Sequence, residues 1–167
     1  MSDRVSDAVS DGEHLEYLRR AVALAEQGVA SGVGGPFGAV VVRDGEVLGE
    51  GWNQVTADND PTAHAEVVAI RRACAAIGDF QLTGAAVYSS CEPCPMCLGA
   101  LYWSRPAAVF FAASRDDAAA AGFDDSLIYQ QLSLPLAQRS LPIRQLALPG
   151  AGAPFARWTS DQERTRY

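Results

Sequence analysis

The chain contains no lysine at all. Its 13 basic residues are all arginine, scattered along the sequence against 20 Asp and Glu, for a formal net charge of −7. That balance argues against a surface built to grip a phosphate backbone, which draws its affinity from clustered basic groups. Long apolar runs are also missing, so no segment is expected to span a bilayer, and no membrane partner is expected. Residues 1–12 are polar and acidic without an apolar core, unlike a secretory signal, and are expected to form a disordered arm. Nearly half of the 167 residues are apolar and a fifth are charged, the makeup of one ordinary globular domain with a substantial core.

Cysteine is scarce, with four in the chain, and three of them cluster as Cys91, Cys94 and Cys97. Clustering of this kind favours metal in a reducing compartment over disulfides, and the cytoplasm is the expected address. Histidine is scarcer still, and one of the two, His64, opens His64-Ala65-Glu66 about thirty residues before Pro93-Cys94-Pro95-Met96-Cys97. One imidazole and two thiolates make a zinc set that keeps a fourth position open for water, as catalytic sites do. Glu66, two residues past the histidine, can move protons without being a ligand. H-x-E followed by P-C-x-x-C is the general signature of zinc deaminases that act on nucleobases.

The spacing has a physical basis. Cys94 and Cys97 lie at i and i+3, neighbours on one helical face, and Pro95 is tolerated in a first turn whose N–H has no partner. The positive end of a helix favours thiolate there. Asp60-Pro61-Thr62-Ala63 reads as the approach to a second helix at His64, so two helix N-termini converge on one ion. Two other readings compete. Cys91 could complete a closed Cys₃His structural site, the mark of a zinc-stabilised binding module. The three cysteines also resemble part of an iron–sulfur run, although Leu101 stands where the fourth cysteine belongs.

Periodicity predicts a helix from Glu13 to about Ala30, strands over 39–42 and 47–52 around an Asp44-Gly45 hairpin turn, and a helix from His64 to about Ile77. A third strand follows over 85–89, then a helix from Pro95 to about Ser104 and a short apolar strand over 107–112, as for a sheet covered on both faces. Short helices are expected over 116–121 and 124–132, a weak fifth strand over 143–148, and a terminal helix over 155–167. The alternation gives α/β layering. Taken singly, Asn53 reads as a turn residue, Phe37 and Trp103 as core aromatics, and Cys74 as an inert core thiol. Asp116-Asp117 and Asp124-Asp125 read as helix caps, Tyr167 as a frayed end and His14 as a solvated surface residue.

The wider pattern changes several of these readings. Pro36-Phe37-Gly38-Ala39-Val40, Asn59 to Glu66 and Ser90 to Cys97 together resemble the cytidine and deoxycytidylate deaminase superfamily. Ala121-Gly122-Phe123-Asp124-Asp125-Ser126-Leu127-Ile128-Tyr129, Pro154 to Trp158 and a terminal Tyr167 narrow the resemblance to its small bacterial guanine deaminases. The resemblance implies a three-layer α/β sandwich with a mixed five-stranded sheet, one Zn²⁺ per subunit on His64, Cys94 and Cys97, and Glu66 as the catalytic residue. It implies substrate contacts at Asn53, Ala65, Phe37, Trp103, Asp125 and Tyr167. It also implies a homodimer in which the segment 149–167 leaves a deaminase domain over 13–148 and closes a partner's site. The implied reaction is hydrolysis of guanine to xanthine and ammonia. Guanosine, ammeline or another amino-heterocycle is an alternative substrate, and tRNA adenosine a more distant one.

Overall fold

The computed structural model describes residues 10–167, so the arm expected over 1–12 falls largely outside the described residues. Its last residues are not disordered. Ser10 caps helix α1 (Asp11–Ala30) through a reciprocal box, its side chain accepting from the Glu13 N–H while Glu13 accepts from the Ser10 N–H at 2.9 Å. The remaining elements are β1 (Gly38–Arg43), β2 (Glu46–Trp52), α2 (Val55–Asp58), α3 (Ala65–Ile77), β3 (Ala86–Cys91), α4 (Pro95–Ser104), β4 (Ala108–Ala113), α5 (Arg115–Ala120), α6 (Ser126–Ser133) and α7 (Ala153–Ser160). The chain divides into two compact units between Asp125 and Ser126. Among the described residues no helix is long and apolar enough to cross a membrane.

The sheet lies in the first unit and, among the described residues, has four strands, in the order β2-β1-β3-β4, rather than the expected five. Ile143 to Leu148, the expected fifth strand, adopts no regular structure. Its sequence, Ile-Arg-Gln-Leu-Ala-Leu, lacks both a strict period-two pattern and β-branched residues beyond the first. The sheet is mixed: β1 runs antiparallel to β2 and β3, and β3 runs parallel to β4. Asp44 and Gly45 both take positive φ (52° and 79°), the conformation a tight hairpin needs to follow strand twist.

Strand alternation sorts the core into two layers. Ala39, Val41 and Val87 point to one face and pack with Ala65, Ala69, Ile70 and Ala73 of α3 and with Leu101 of α4. Val40, Val42, Ala86 and Tyr88 point to the other face, against Ala21 of α1. Small residues let the helices approach closely. A Cβ on Gly38 would lie 2.1 Å from the Ala21 carbonyl oxygen, and one on Gly51 would lie 2.3 Å from that of Ala65. The edge strand β4 departs from the expected two-sided cover, since Val109, Phe111 and Ala112 are exposed.

His14 also departs from its expectation. Its Nδ1 and the Tyr88 hydroxyl share a hydrogen bond of 2.8 Å, and its ring lies 4.1 Å from that of Phe110. It is half-buried because the first turn of α1 lies against Tyr88 of β3 and Phe110 of β4.

Candidate metal centre and catalytic site

Two connections bring the metal-binding residues together. Ahead of α3, the Asp60 carboxylate accepts from both the N–H and the hydroxyl of Thr62, at 2.8 and 2.7 Å, closing a turn that delivers His64 in extended conformation as the N-cap. After β3, Cys94 is the extended N-cap of α4, Pro95 opens the helix and Cys97 sits one turn in. Both helix N-termini therefore meet at one point. His64 Nδ1 lies 3.5 Å from Cys94 Sγ and 3.5 Å from Cys97 Sγ, and the three ligand atoms all fall within 4.8 Å of one another.

These distances suit zinc. With Zn–S near 2.3 Å and Zn–N near 2.05 Å, a tetrahedral angle puts N and S about 3.6 Å apart. The two N···S separations match that edge, and the donor set of one imidazole and two thiols is the right chemistry. Cys91 does not join it. Its Sγ donates to the Ser114 carbonyl oxygen at 3.4 Å, and among the described residues it is absent from the metal-binding group. The closed Cys₃His arrangement is thereby excluded on this chain, leaving a three-ligand set.

The thiols are electrically paired. The hydrogen bond from the Cys97 thiol, aided by His64, holds Cys94 down at about 4. The same bond, together with burial, pushes Cys97 far up. A divalent cation binds the two as thiolates, so its binding releases the thiol proton. The Cys94 contact raises the His64 imidazole above its ordinary value.

Glu66, only 5% exposed, stands beside this group in the first turn of α3. Its Oε2 accepts from Cys97 Sγ at 3.3 Å, and its Oε1 accepts from the Ser89 hydroxyl at 3.2 Å. Burial pushes its carboxyl above the usual range, so the protonated form is within reach, as a proton shuttle requires. Ser89 was not singled out by sequence reasoning. The available signal was Ser89-Ser90, two hydroxyls in succession within the otherwise largely apolar run Ala-Val-Tyr-Ser-Ser-Cys.

Asn53, at the end of β2, is 6% exposed, and its Oδ1 accepts from the N–H groups of Gly35 and Val55 at 3.1 and 3.3 Å. Its turn-forming chemistry and its candidate role therefore coexist: the oxygen is tied to the loop, and the amide N–H₂ remains to donate. Ala65 opens α3, fully buried, and its N–H belongs to a first turn whose donors lack intrahelical partners. Phe37 meets Phe123 edge-on at 5.0 Å.

Asp125 lies 3.6 Å from Arg115, whose own N–H donates to Glu92 at 3.2 Å. Burial raises the Asp125 carboxyl, and Arg115 opposes the rise. Trp103 is 67% exposed on α4, so within the first unit it is neither a core aromatic nor an enclosed wall. In the second unit Tyr167 is exposed and lies edge-on to Trp158, 6.1 Å between ring centres. A cavity of about 530 Å³ opens between α1, Phe37 and α5, but neither the metal-binding group nor Glu66 lines it.

With this geometry established, similarity to known proteins is informative. The family described as "Cytidine and deoxycytidylate deaminase zinc-binding region" matches residues 11–113. A guanine deaminase of Bacillus subtilis is 54% identical over 154 residues, covering 92% of this chain and 99% of the relative. The X-ray structure of guanine deaminase from that organism superposes with a TM-score of 0.90 over 92% of this chain and 98% of that one. A tRNA-specific adenosine deaminase of Haemophilus influenzae is 40% identical over 66% of each chain. The family match takes in His64, Cys94 and Cys97, and the chain belongs to the cytidine and deoxycytidylate deaminase family.

Proposed function

We propose that this protein is a zinc-dependent aminohydrolase that converts guanine and water to xanthine and ammonia. The observation that carries the reaction class is Glu66, buried against an open three-ligand metal set. The choice of guanine draws support from the near full-length similarity to the B. subtilis guanine deaminase.

Zinc, when bound by His64, Cys94 and Cys97, supplies the acidity that makes water nucleophilic near neutral pH. Glu66 receives the proton of the attacking water and passes it to the ring nitrogen beside C2. It then takes the remaining proton from the new hydroxyl at C2 and delivers it to the departing amine as the C2 carbonyl forms, so the same carboxyl serves as base and then acid. The two steps balance: one C–O bond forms at C2, one C–N bond breaks, and ammonia leaves.

Recognition follows from which polar atoms are already engaged. Because Asn53 holds its oxygen in hydrogen bonds from Gly35 and Val55, it offers N–H donors that suit the ring carbonyl of guanine and not the amine of adenine. Asp125 accepts from guanine N–H groups, helped by the Arg115 charge that favours its ionised form. A site made of such polar groups penalises analogues that leave them unpaired. Phe37, Ala65 and Trp103 complete the pocket, the last as part of a homodimer. In that dimer the segment 149–167 extends from a deaminase domain over 13–148 and lays Tyr167 over the partner's site, excluding a ribose. The enzyme would work in the cytoplasm, without nucleic-acid or membrane partners.

The test is ammonia release from zinc-loaded protein given guanine, guanosine, adenine, cytosine and ammeline. Turnover of guanine well above the others is expected. Preference for another amino-heterocycle would overturn the pocket assignment while keeping the chemistry, and activity confined to tRNA would overturn both substrate and pocket.

A further inference from the structure

The β3 strand carries two adjacent serines that point to opposite faces of the sheet and have different partners. Ser90 accepts the Gly38 N–H at 3.0 Å, on the end of β1. Ser89 turns to the α3 side and donates to Glu66 Oε1 at 3.2 Å. We infer that Ser89 is a positioning residue for the reaction proposed above: it anchors one oxygen of Glu66 to the sheet and so aims the other at the metal-binding group. The inference rests on that functional reading and goes beyond it.

The surroundings of Ser89 support this role. It is 1% exposed, paired with Ala39 of β1 on one side and Phe111 of β4 on the other. On its own face lie Ala39, Val41 and Val87, an apolar layer. A buried hydroxyl without a partner is destabilising, so a serine in this layer is explained by the carboxylate it meets.

The geometry of Glu66 completes the argument. Its side chain leaves the first turn of α3 with several rotatable bonds, and the orientation of its carboxyl is set only by what it touches. The contacts are split: Oε1 is held from the sheet by Ser89, and Oε2 lies 3.3 Å from Cys97 Sγ. Glu66 is thereby bridged between a rigid central strand and a metal ligand. Ser89 touches neither zinc nor substrate, so its effect passes through Glu66. Misplacement of a reacting group by about 1 Å can cost a hundredfold in rate, which sets the scale.

The experiment compares Ser89→Ala, Ser89→Thr and Ser89→Cys with wild type, alone and on a Glu66→Gln background, using zinc-loaded protein and guanine. Ser89→Ala is expected to lower kcat by about ten- to hundredfold while KM stays within about threefold, at an unchanged zinc content. Ser89→Thr, which keeps the hydroxyl, should recover kcat to within about threefold of wild type. On the Glu66→Gln background Ser89→Ala should cost less than about twofold more, because the group it positions is no longer a proton carrier. Ser89→Cys keeps the volume with a weak donor and should behave like Ser89→Ala, which secures the comparison if the alanine variant does not fold.

An active wild type with undiminished kcat in both Ser89→Ala and Ser89→Cys would overturn the inference alone. So would an equal loss on both backgrounds, the behaviour of a merely structural residue. A wild type inert toward guanine would overturn the functional reading, and this inference with it.

Discussion

Gly51 tests the packing that carries the site. A Cβ at this position in β2 would lie 2.3 Å from the Ala65 carbonyl oxygen and 2.7 Å from the Ala69 nitrogen. Both are backbone atoms of α3, so no side chain can swing away to make room. Ordinary contact begins near 3.4 Å, and restoring it requires α3 to retreat by about 1 Å. The N-terminal end of α3 holds His64 and Glu66, which move with it.

Overpacking of this kind costs about 1–3 kcal/mol, or roughly 2–12 °C in Tm for a chain of this size. A displacement of about 1 Å at the reacting groups is expected to lower kcat/KM by about a hundredfold. The comparison is Gly99→Ala on α4, where an added Cβ meets nothing within 4 Å. Helix propensity alone predicts that this variant is unchanged or more stable by up to about 1 kcal/mol. Thermal denaturation of the zinc-loaded proteins and ammonia release from guanine give both readouts. Wild-type Tm and wild-type turnover in Gly51→Ala would refute the close approach of α3 to β2. Lost stability with full activity would refute only the claim that α3 sets the position of Glu66.

Glu66→Gln keeps the shape of the side chain and removes its proton-carrying ability. Turnover should fall by about 10²- to 10⁴-fold with one zinc retained per chain, and near-normal turnover would exclude the shuttle role. Cys94→Ala leaves two of the three ligands, so zinc titration should show affinity weakened by orders of magnitude, and Tm should no longer rise on adding zinc. Undiminished binding would place the ion elsewhere. Tyr88 provides a pH signature on the opposite face of the sheet. Burial pushes its phenol up to about 12, so the folded state holds this proton more tightly than the unfolded chain does. That stabilisation is fully present below pH 10 and declines as pH rises from about 10 to 12, by on the order of 2–3 kcal/mol. Denaturant unfolding at stepped alkaline pH should show a shallower decline in Tyr88→Phe, and parallel curves for the two proteins would contradict it.

The metal-binding residues were legible because their chemistry is local. His64 and Glu66 are two residues apart, Cys94 and Cys97 share one helical turn, and Asp60 and Pro95 mark the two helix starts, so residue type and spacing alone define each half of the site. The hairpin at Asp44-Gly45 was legible for the same reason, since glycine tolerates the positive φ that the turn demands. Contacts between distant segments were not. The partnership of Ser89 with Glu66 depends on which face of β3 meets α3, and a shift of one residue in register would reverse it.

His14 and Cys91 illustrate the same limit. The exposure of a lone histidine and the partner of a lone thiol are decided by elements remote in sequence, here β3 and β4 beneath His14 and the Ser114 carbonyl beside Cys91. The missing fifth strand belongs with them, because a short weakly patterned run becomes a strand only where a sheet edge accepts it. By itself, then, the sequence marked the candidate ligands, the candidate proton carrier and the α/β order, all of which depend on residues a few positions apart. Only the tertiary structure decided that the two halves meet at 3.5 Å, that Cys91 stands outside them, and that a serine from the sheet holds the glutamate. Those outcomes depend on how strands pair and helices pack, which no local pattern encodes.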